Sequence, residues 1–148
     1  MPKLDIDTIP QTNATGYPAV YAAEVEGRFY RRLAPPSGLT EFGASHVALK
    51  PGAWSSQRHW HEDEDEMVIM LSGEAVLVED DGRHIMCSGD VAVFPKGAAN
   101  GHVLINESNS DCVFIAIGRP SASDCHYPDI DMHLFNGTGF RKKDGSEF

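Results

Sequence analysis

Residues 66–97 read EMVIMLSGEAVLVEDDGRHIMCSGDVAVFPKG, and the punctuation of this stretch decides the fold. Apolar runs such as Met67–Leu71, Ala75–Val78 and Val91–Phe94 are short, and between them fall Ser72-Gly73, Asp80-Asp81-Gly82, Ser88-Gly89-Asp90 and Pro95-Lys96-Gly97. Short apolar runs bounded by turn residues are strands, because a helix must hold its period over about ten residues or more. Asp81-Gly82 supplies the tight turn of a hairpin between Ala75–Glu79 and His84–Cys87. Outward from this stretch, HVALKPG (46–52), HVLIN (102–106) and CVFIAIG (112–118) follow the same pattern, so residues 42–118 are expected to form an all-β core. Such a domain hides its edges as a sandwich or a barrel. The unbroken apolar run Met67–Leu71 predicts burial on both faces, the outer one against a second sheet, an arm or a partner subunit.

The flanks differ in composition. Residues 1–41, rich in Pro, Gly and Thr, predict an extended arm, and residues 119–148 predict an irregular tail laid over the core, with Tyr127 and Phe135 fastening it. One domain spanning 1–148 is the simplest organisation for this length. A formal net charge of −10 argues against a nucleic-acid partner, and the basic clusters Arg31-Arg32 and Arg141–Lys143 are too short to reverse that. No apolar run approaches the ~20 residues of a membrane span, and the first residues do not resemble a signal peptide, so a cytoplasmic location is expected. Cys87, Cys112 and Cys125 form no C-x-x-C pair and read as reduced thiols.

The chemistry concentrates in HWHEDEDE, residues 59–66. On a strand His59 and His61 point to one face and Trp60 to the other, so two imidazoles can chelate one divalent ion. Glu66 opens the next strand, and His102 follows the FPKGAANG turn at the mouth of another. Three imidazoles and a carboxylate suit a first-row divalent metal with open positions. A rival reading takes His59-x-His61-x-Asp63 as part of a dinuclear zinc hydrolase site, but Glu64 stands where that signature needs a further histidine. Glu62 to Asp65 otherwise read as a solvated turn. His46, His84, His126 and His133 read as structural or solvated, Arg58, Trp54, Trp60 and Gln57 as packing around the first histidine pair, and Lys96 and Asn100 as rim contacts.

These residues resemble the two sequence motifs of the cupin superfamily. Gly52, His59, His61, Glu66 and Gly73 match the first, and Gly89, Pro95, Gly97, His102 and Asn106 match the second. Two loops depart from the usual spacing: six residues separate Gly52 from His59, and four separate Gly97 from His102. The longer second turn is similar to that of a group of small bacterial single-domain cupins. The resemblance implies a jelly-roll barrel (double-stranded β-helix) with one divalent transition metal, Mn, Fe, Co, Ni, Cu or Zn, held by His59, His61, Glu66 and His102. It further implies a small-molecule ligand, a homodimer and an oxygenase, decarboxylase or isomerase activity, with a non-catalytic binding or sensing module as the alternative. No helix-turn-helix accompanies the core, so a DNA-binding regulator is not expected.

Overall fold

The computed structural model describes residues 3–119 and 122–148. Pro120 and Ser121, at the head of the C-terminal segment, lie outside the described residues, as do the first two residues. The strands are β1 (Arg28–Arg32), β2 (Gly43–Leu49), β3 (Trp60–His61), β4 (Glu66–Ser72), β5 (Glu74–Glu79) and β6 (Gly82–Cys87). They continue as β7 (Val91–Phe94), β8 (Val103–Ile105), β9 (Cys112–Gly118), β10 (Cys125–Tyr127), β11 (Met132–Phe135) and β12 (Gly139–Arg141). Helix is confined, among the described residues, to single 3-10 turns, three of them in the first thirty residues.

Two sheets face each other across the core. One runs β1-β2-β9-β4-β7 and the other β6-β5-β8. Alternate residues of the first sheet, Val47, Leu49, Val68, Met70, Phe94 and Phe114, pack against Ala75, Leu77, Met86 and Leu104 of the second. Leu49 and Met70 are completely enclosed, and truncating such a side chain to alanine costs about 2–5 kcal/mol. The sheets are not joined into one closed hydrogen-bonded ring, so the barrel is a jelly-roll sandwich. Where β4 hands over to β5 the register against β9 shifts between Met70 and Ser72. Gly73 takes φ +72° there, and a Cβ on it would lie 2.5 Å from the Asp111 carbonyl oxygen. The first-motif glycine therefore permits a close chain crossing that no side chain fits.

Both flanks contribute more regular structure than their composition suggests. Within the arm, β1 pairs with β2 from Arg28↔Leu49 to Arg32↔Ser45. In the tail, β10, β11 and β12 form a four-stranded sheet with β3, in the order β12-β11-β10-β3. These strands are three or four residues long, too short for a periodicity to register in sequence. Their apolar side, Cys125, Tyr127 and Met132 with Tyr17, Tyr21 and Phe140 around them, makes a second small core that ties arm to tail. Tyr127 is a fastener as expected, whereas Phe135 packs beside His133 within the tail itself.

The outer face of β4 and β7 is the one expected to meet a second sheet, an arm or a partner subunit. Met67, Leu71, Val91 and Val93 are 37–58% exposed in the single chain. The residues of Met67–Leu71 alternate inward and outward, and among the described residues Met67 and Leu71 of the outer set stay exposed.

Candidate metal centre

The centre forms where two irregular stretches lie side by side. Residues 53–59 run antiparallel to 102–106, joined by Asn106 N to Ala53 O (3.0 Å), Ser55 N to Leu104 O (2.8 Å) and a reciprocal pair between His59 and His102 (3.2 and 2.9 Å). That last pair puts the two histidines directly opposite each other. The second-motif turn is fixed by Gly97 N donating to His61 O (2.9 Å) and Lys96 N donating to Asp65 Oδ1 (2.8 Å). Glu66 opens β4, flanked by Phe94 on β7 and Gly118 on β9.

From these four positions the side chains converge. Glu66 Oε2 lies 2.8 Å from His102 Nε2, 3.3 Å from His61 Nε2 and 3.7 Å from His59 Nε2. An ion about 2.1 Å from two donors at right angles holds them about 3 Å apart, so these separations suit a shared first-row ion. Ring orientations are set from behind. His59 Nδ1 donates to the Gln57 carbonyl (2.8 Å), with Ser56 Oγ 3.1 Å away, which leaves the Nε2 lone pair turned to the cluster. The His102 ring lies flat on Phe94 at 3.6 Å, and its buried Nδ1 has no hydrogen-bond partner among the described residues. The residues present therefore fit a divalent metal: three nitrogen donors and one anionic oxygen, which would leave open positions for a ligand.

The electrostatics carry the same pattern. Burial pushes the Glu66 carboxyl up, but the three imidazoles outweigh it and hold the group well below the ordinary carboxylate range. Burial likewise opposes charge on His61, yet Cys125 and Glu66 as hydrogen-bond partners raise it to about 10. His102 is lowered, burial being the largest cause. Glu66 and His61 thus stabilise each other's charge, and a metal ion bound at this centre would compete with the His61 proton.

Two residues near the centre escaped the sequence reading. Glu64, placed there in a solvated turn, is half-buried with a carboxylate oxygen 3.7 Å from His61 Nδ1. Burial raises its pKa. Gly118 makes room for it, since a Cβ at that position would meet Glu64 Oε1 at 2.6 Å. The four-acid run hid which member turns inward. Cys125 faces His61 across the β3–β10 pair, and ligand atoms of His59, His61 and Cys125 lie within 4.8 Å of one another. That contact depends on a tail strand which no spacing rule reveals.

The remaining candidates find partners elsewhere. Asp63 pairs with Lys96 at the exposed rim (2.7 Å) and joins no cluster of metal-binding groups among the described residues, unlike the role the hydrolase signature requires. Arg58 grips Asp129 through two 2.7 Å bonds, and Asp80 as well, clamping the tail to the hairpin beside the His102 loop. Asn100 accepts from Asp80 N (2.9 Å) and donates to Glu79 (3.2 Å), which makes it a turn residue. His126 stacks on Trp60 at 4.0 Å, His133 lies 2.9 Å from Asp124, and His84 stands exposed near Glu79 and Asp81.

Beside the cluster opens a cavity of about 660 Å³, with His59, Glu64, Glu66 and His102 in its wall. Its size suits a small molecule. Among the described residues no helix is long and apolar enough to cross a membrane.

Comparisons with known proteins agree with this fold. The crystal structure of a sugar phosphate isomerase of the cupin superfamily from Silicibacter pomeroyi is 40% identical, with a TM-score of 0.94 over 99% of this chain and 96% of that one. A predicted oxalate decarboxylase from Thermotoga maritima (24% identity, TM-score 0.56, covering 64% of this chain and 81% of that one) shares the fold. So does the polyketide cyclase RemF from Streptomyces resistomycificus (19% identity, TM-score 0.66, 82% of each chain). No curated protein sequence matches the chain. The Cupin domain model matches residues 45–118, which contain both histidine motifs, and the chain belongs to the cupin superfamily.

Proposed function

We propose that the protein is a metal-dependent isomerase of a small hydroxy-carbonyl compound, with the metal held by His59, His61, Glu66 and His102. The observation that carries this reading is the convergence of three imidazole Nε2 atoms on one Glu66 oxygen in the wall of a ligand-sized cavity. The 40% identical relative named as a sugar phosphate isomerase supports isomerisation among the reactions a cupin site can perform. When bound, the ion would act as a Lewis acid on the oxygens of the substrate. The chain supplies the rest. Isomerisation moves a proton between neighbouring carbons, and Glu64, at the cavity wall, is the carboxylate placed to take it and return it. Its raised pKa suits that exchange.

The homodimer belongs to the same proposal. The exposed Met67 and Leu71 of β4 and Val91 and Val93 of the edge strand β7 form an apolar face, the surface a second copy would cover. A cytoplasmic location, with reduced Cys112 and Cys125 in the interior, fits this reading.

The test is incubation of the purified chain in heavy water with Mn, Fe, Co, Ni, Cu or Zn and a panel of aldoses, ketoses and their phosphates. Proton NMR should show aldose–ketose conversion with deuterium entering at the carbon next to the carbonyl. Dioxygen consumption or carbon dioxide release would point to the other cupin chemistries. Tight binding with no turnover would establish the binding module instead.

A further inference from the structure

Strand β1 reads RFYRR, and strand geometry sends Arg28, Tyr30 and Arg32 to one side. All three line the cavity that also contains the candidate metal ligands. The Tyr30 hydroxyl is tied back to the Ala14 carbonyl (2.9 Å), which holds its ring in place between two guanidinium groups. Arg28 Cζ lies 5.4 Å and Arg32 Cζ 5.9 Å from the ring centroid. Cation–π contact at that range orients a guanidinium without neutralising it.

Arg31, Arg58, Arg83 and Arg141 each have a carboxylate within 4.0 Å, whereas Arg28, Arg32 and Arg119 have none among the described residues, and of these three Arg28 and Arg32 line the cavity. Arg28 donates one Nη1 bond to the Ser55 carbonyl (2.8 Å), and its Nε is buried with no partner among the described residues. In a chain with 22 acidic and 12 basic residues, two cations left without a counter-charge in a cavity wall are unexpected on composition alone. A buried guanidinium N–H without an acceptor is costly, and an anion entering the cavity relieves that cost.

We infer that Arg28 and Arg32 form a subsite for the phosphate monoester of the substrate, with Tyr30 as the platform that spaces them. This rests on the isomerase reading for its placement of a substrate in the cavity, and it adds the chemical class: a phosphorylated hydroxy-carbonyl compound. Two planar guanidinium groups match a phosphate of charge near −2, and each can donate two bonds to its oxygens. The histidine cluster and the arginine pair then engage the two ends of one molecule. Arg28 and Arg32 place positive charge in the cavity wall against the net −10 of the chain, which would let an acidic protein take an anionic ligand.

The experiment uses the full chain stripped of metal, so that phosphate binding is read apart from the metal centre. Inorganic phosphate is titrated by calorimetry into the wild type, Arg28→Gln, Arg32→Gln, the double variant and Arg31→Gln. Arg31 lies on the opposite face of β1, paired with Asp7, and serves as the control. Wild type and Arg31→Gln should bind with equal affinity that weakens as salt rises. Each cavity variant should bind at least tenfold more weakly, and the double variant should show no heat. Arg32 is exposed, so its substitution does not endanger folding. Metal content of reloaded variants should equal that of wild type. Should turnover be found, the cavity variants should raise KM for a phosphorylated sugar at unchanged kcat and leave its unphosphorylated counterpart unaffected. No phosphate binding by wild type, or wild-type affinity retained by Arg32→Gln and by the double variant, overturns the subsite. Phosphate binding lost in the variants while no sugar phosphate is turned over removes the isomerase reading and leaves the anion site standing.

Discussion

Glu66→Gln separates the roles of the acidic residues in HWHEDEDE. The substitution keeps side-chain volume and removes the only negative charge among the four converging donors. Residues that merely support a metal ligand are worth about 10–100-fold in metal affinity. Glu66 Oε2 stands 2.8–3.7 Å from all three imidazole Nε2 atoms, so as a direct donor in the proposed centre its loss should exceed about 100-fold. That is about 2.8 kcal/mol or more of binding free energy at ~1.4 kcal/mol per tenfold. Asp63→Asn touches only an exposed pair with Lys96 and should leave the metal in place. The assay is elemental analysis of both purified variants after identical metal loading and dialysis, with circular dichroism to verify the fold. Full metal retention by Glu66→Gln, or loss from Asp63→Asn, would refute the assignment of the carboxylate donor.

Thermal melting of the metal-stripped protein should peak near pH 6.5. His61, raised to about 10, contributes stability that is complete below its ordinary 6.5 and lost as pH climbs toward 10. His102, lowered by burial, and Glu66, lowered by its histidine partners against the effect of burial, act oppositely and lose their contributions as pH falls. The decline above neutral pH should shrink in His61→Gln; an unchanged decline would place its origin elsewhere. Asn106→Ala should lower the melting temperature by about 6–12 °C, at ~2–4 °C per kcal/mol for a chain of this size. Completely buried Asn106 donates to the Leu49 and Ser110 carbonyls, both at 2.8 Å, and leaving two such acceptors unpaired costs roughly 3 kcal/mol in total. A drop below about 3 °C in differential scanning calorimetry would show those carbonyls find other donors. Light scattering should give a dimer mass for wild type and a monomer for Val93→Lys, which places a charge on the exposed apolar edge strand; a monomeric wild type would contradict the proposed assembly.

The local code of this chain is strong between Gly43 and Gly118. Short apolar runs separated by Ser-Gly, Asp-Gly and Pro-Lys-Gly announce strands because turn chemistry and side-chain alternation act within a few residues. The same local logic marks His59, His61, Glu66 and His102 as a candidate set, since each stands beside a strand mouth. Relations set by long-range contact were not available to it. Whether Glu64 or Glu62 turns inward depends on the space beside Gly118, which lies on a strand far along the chain. Cys125 meets His61 only because a three-residue tail strand pairs with β3, a contact spread over too few residues to leave a period. Arg32 reads as part of the short Arg31-Arg32 basic cluster and Arg28 carries no signal in sequence, where a charge holds no record of its counter-ions. Only the packing of β1 against β2 turns them toward the cavity and leaves both without a carboxylate among the described residues.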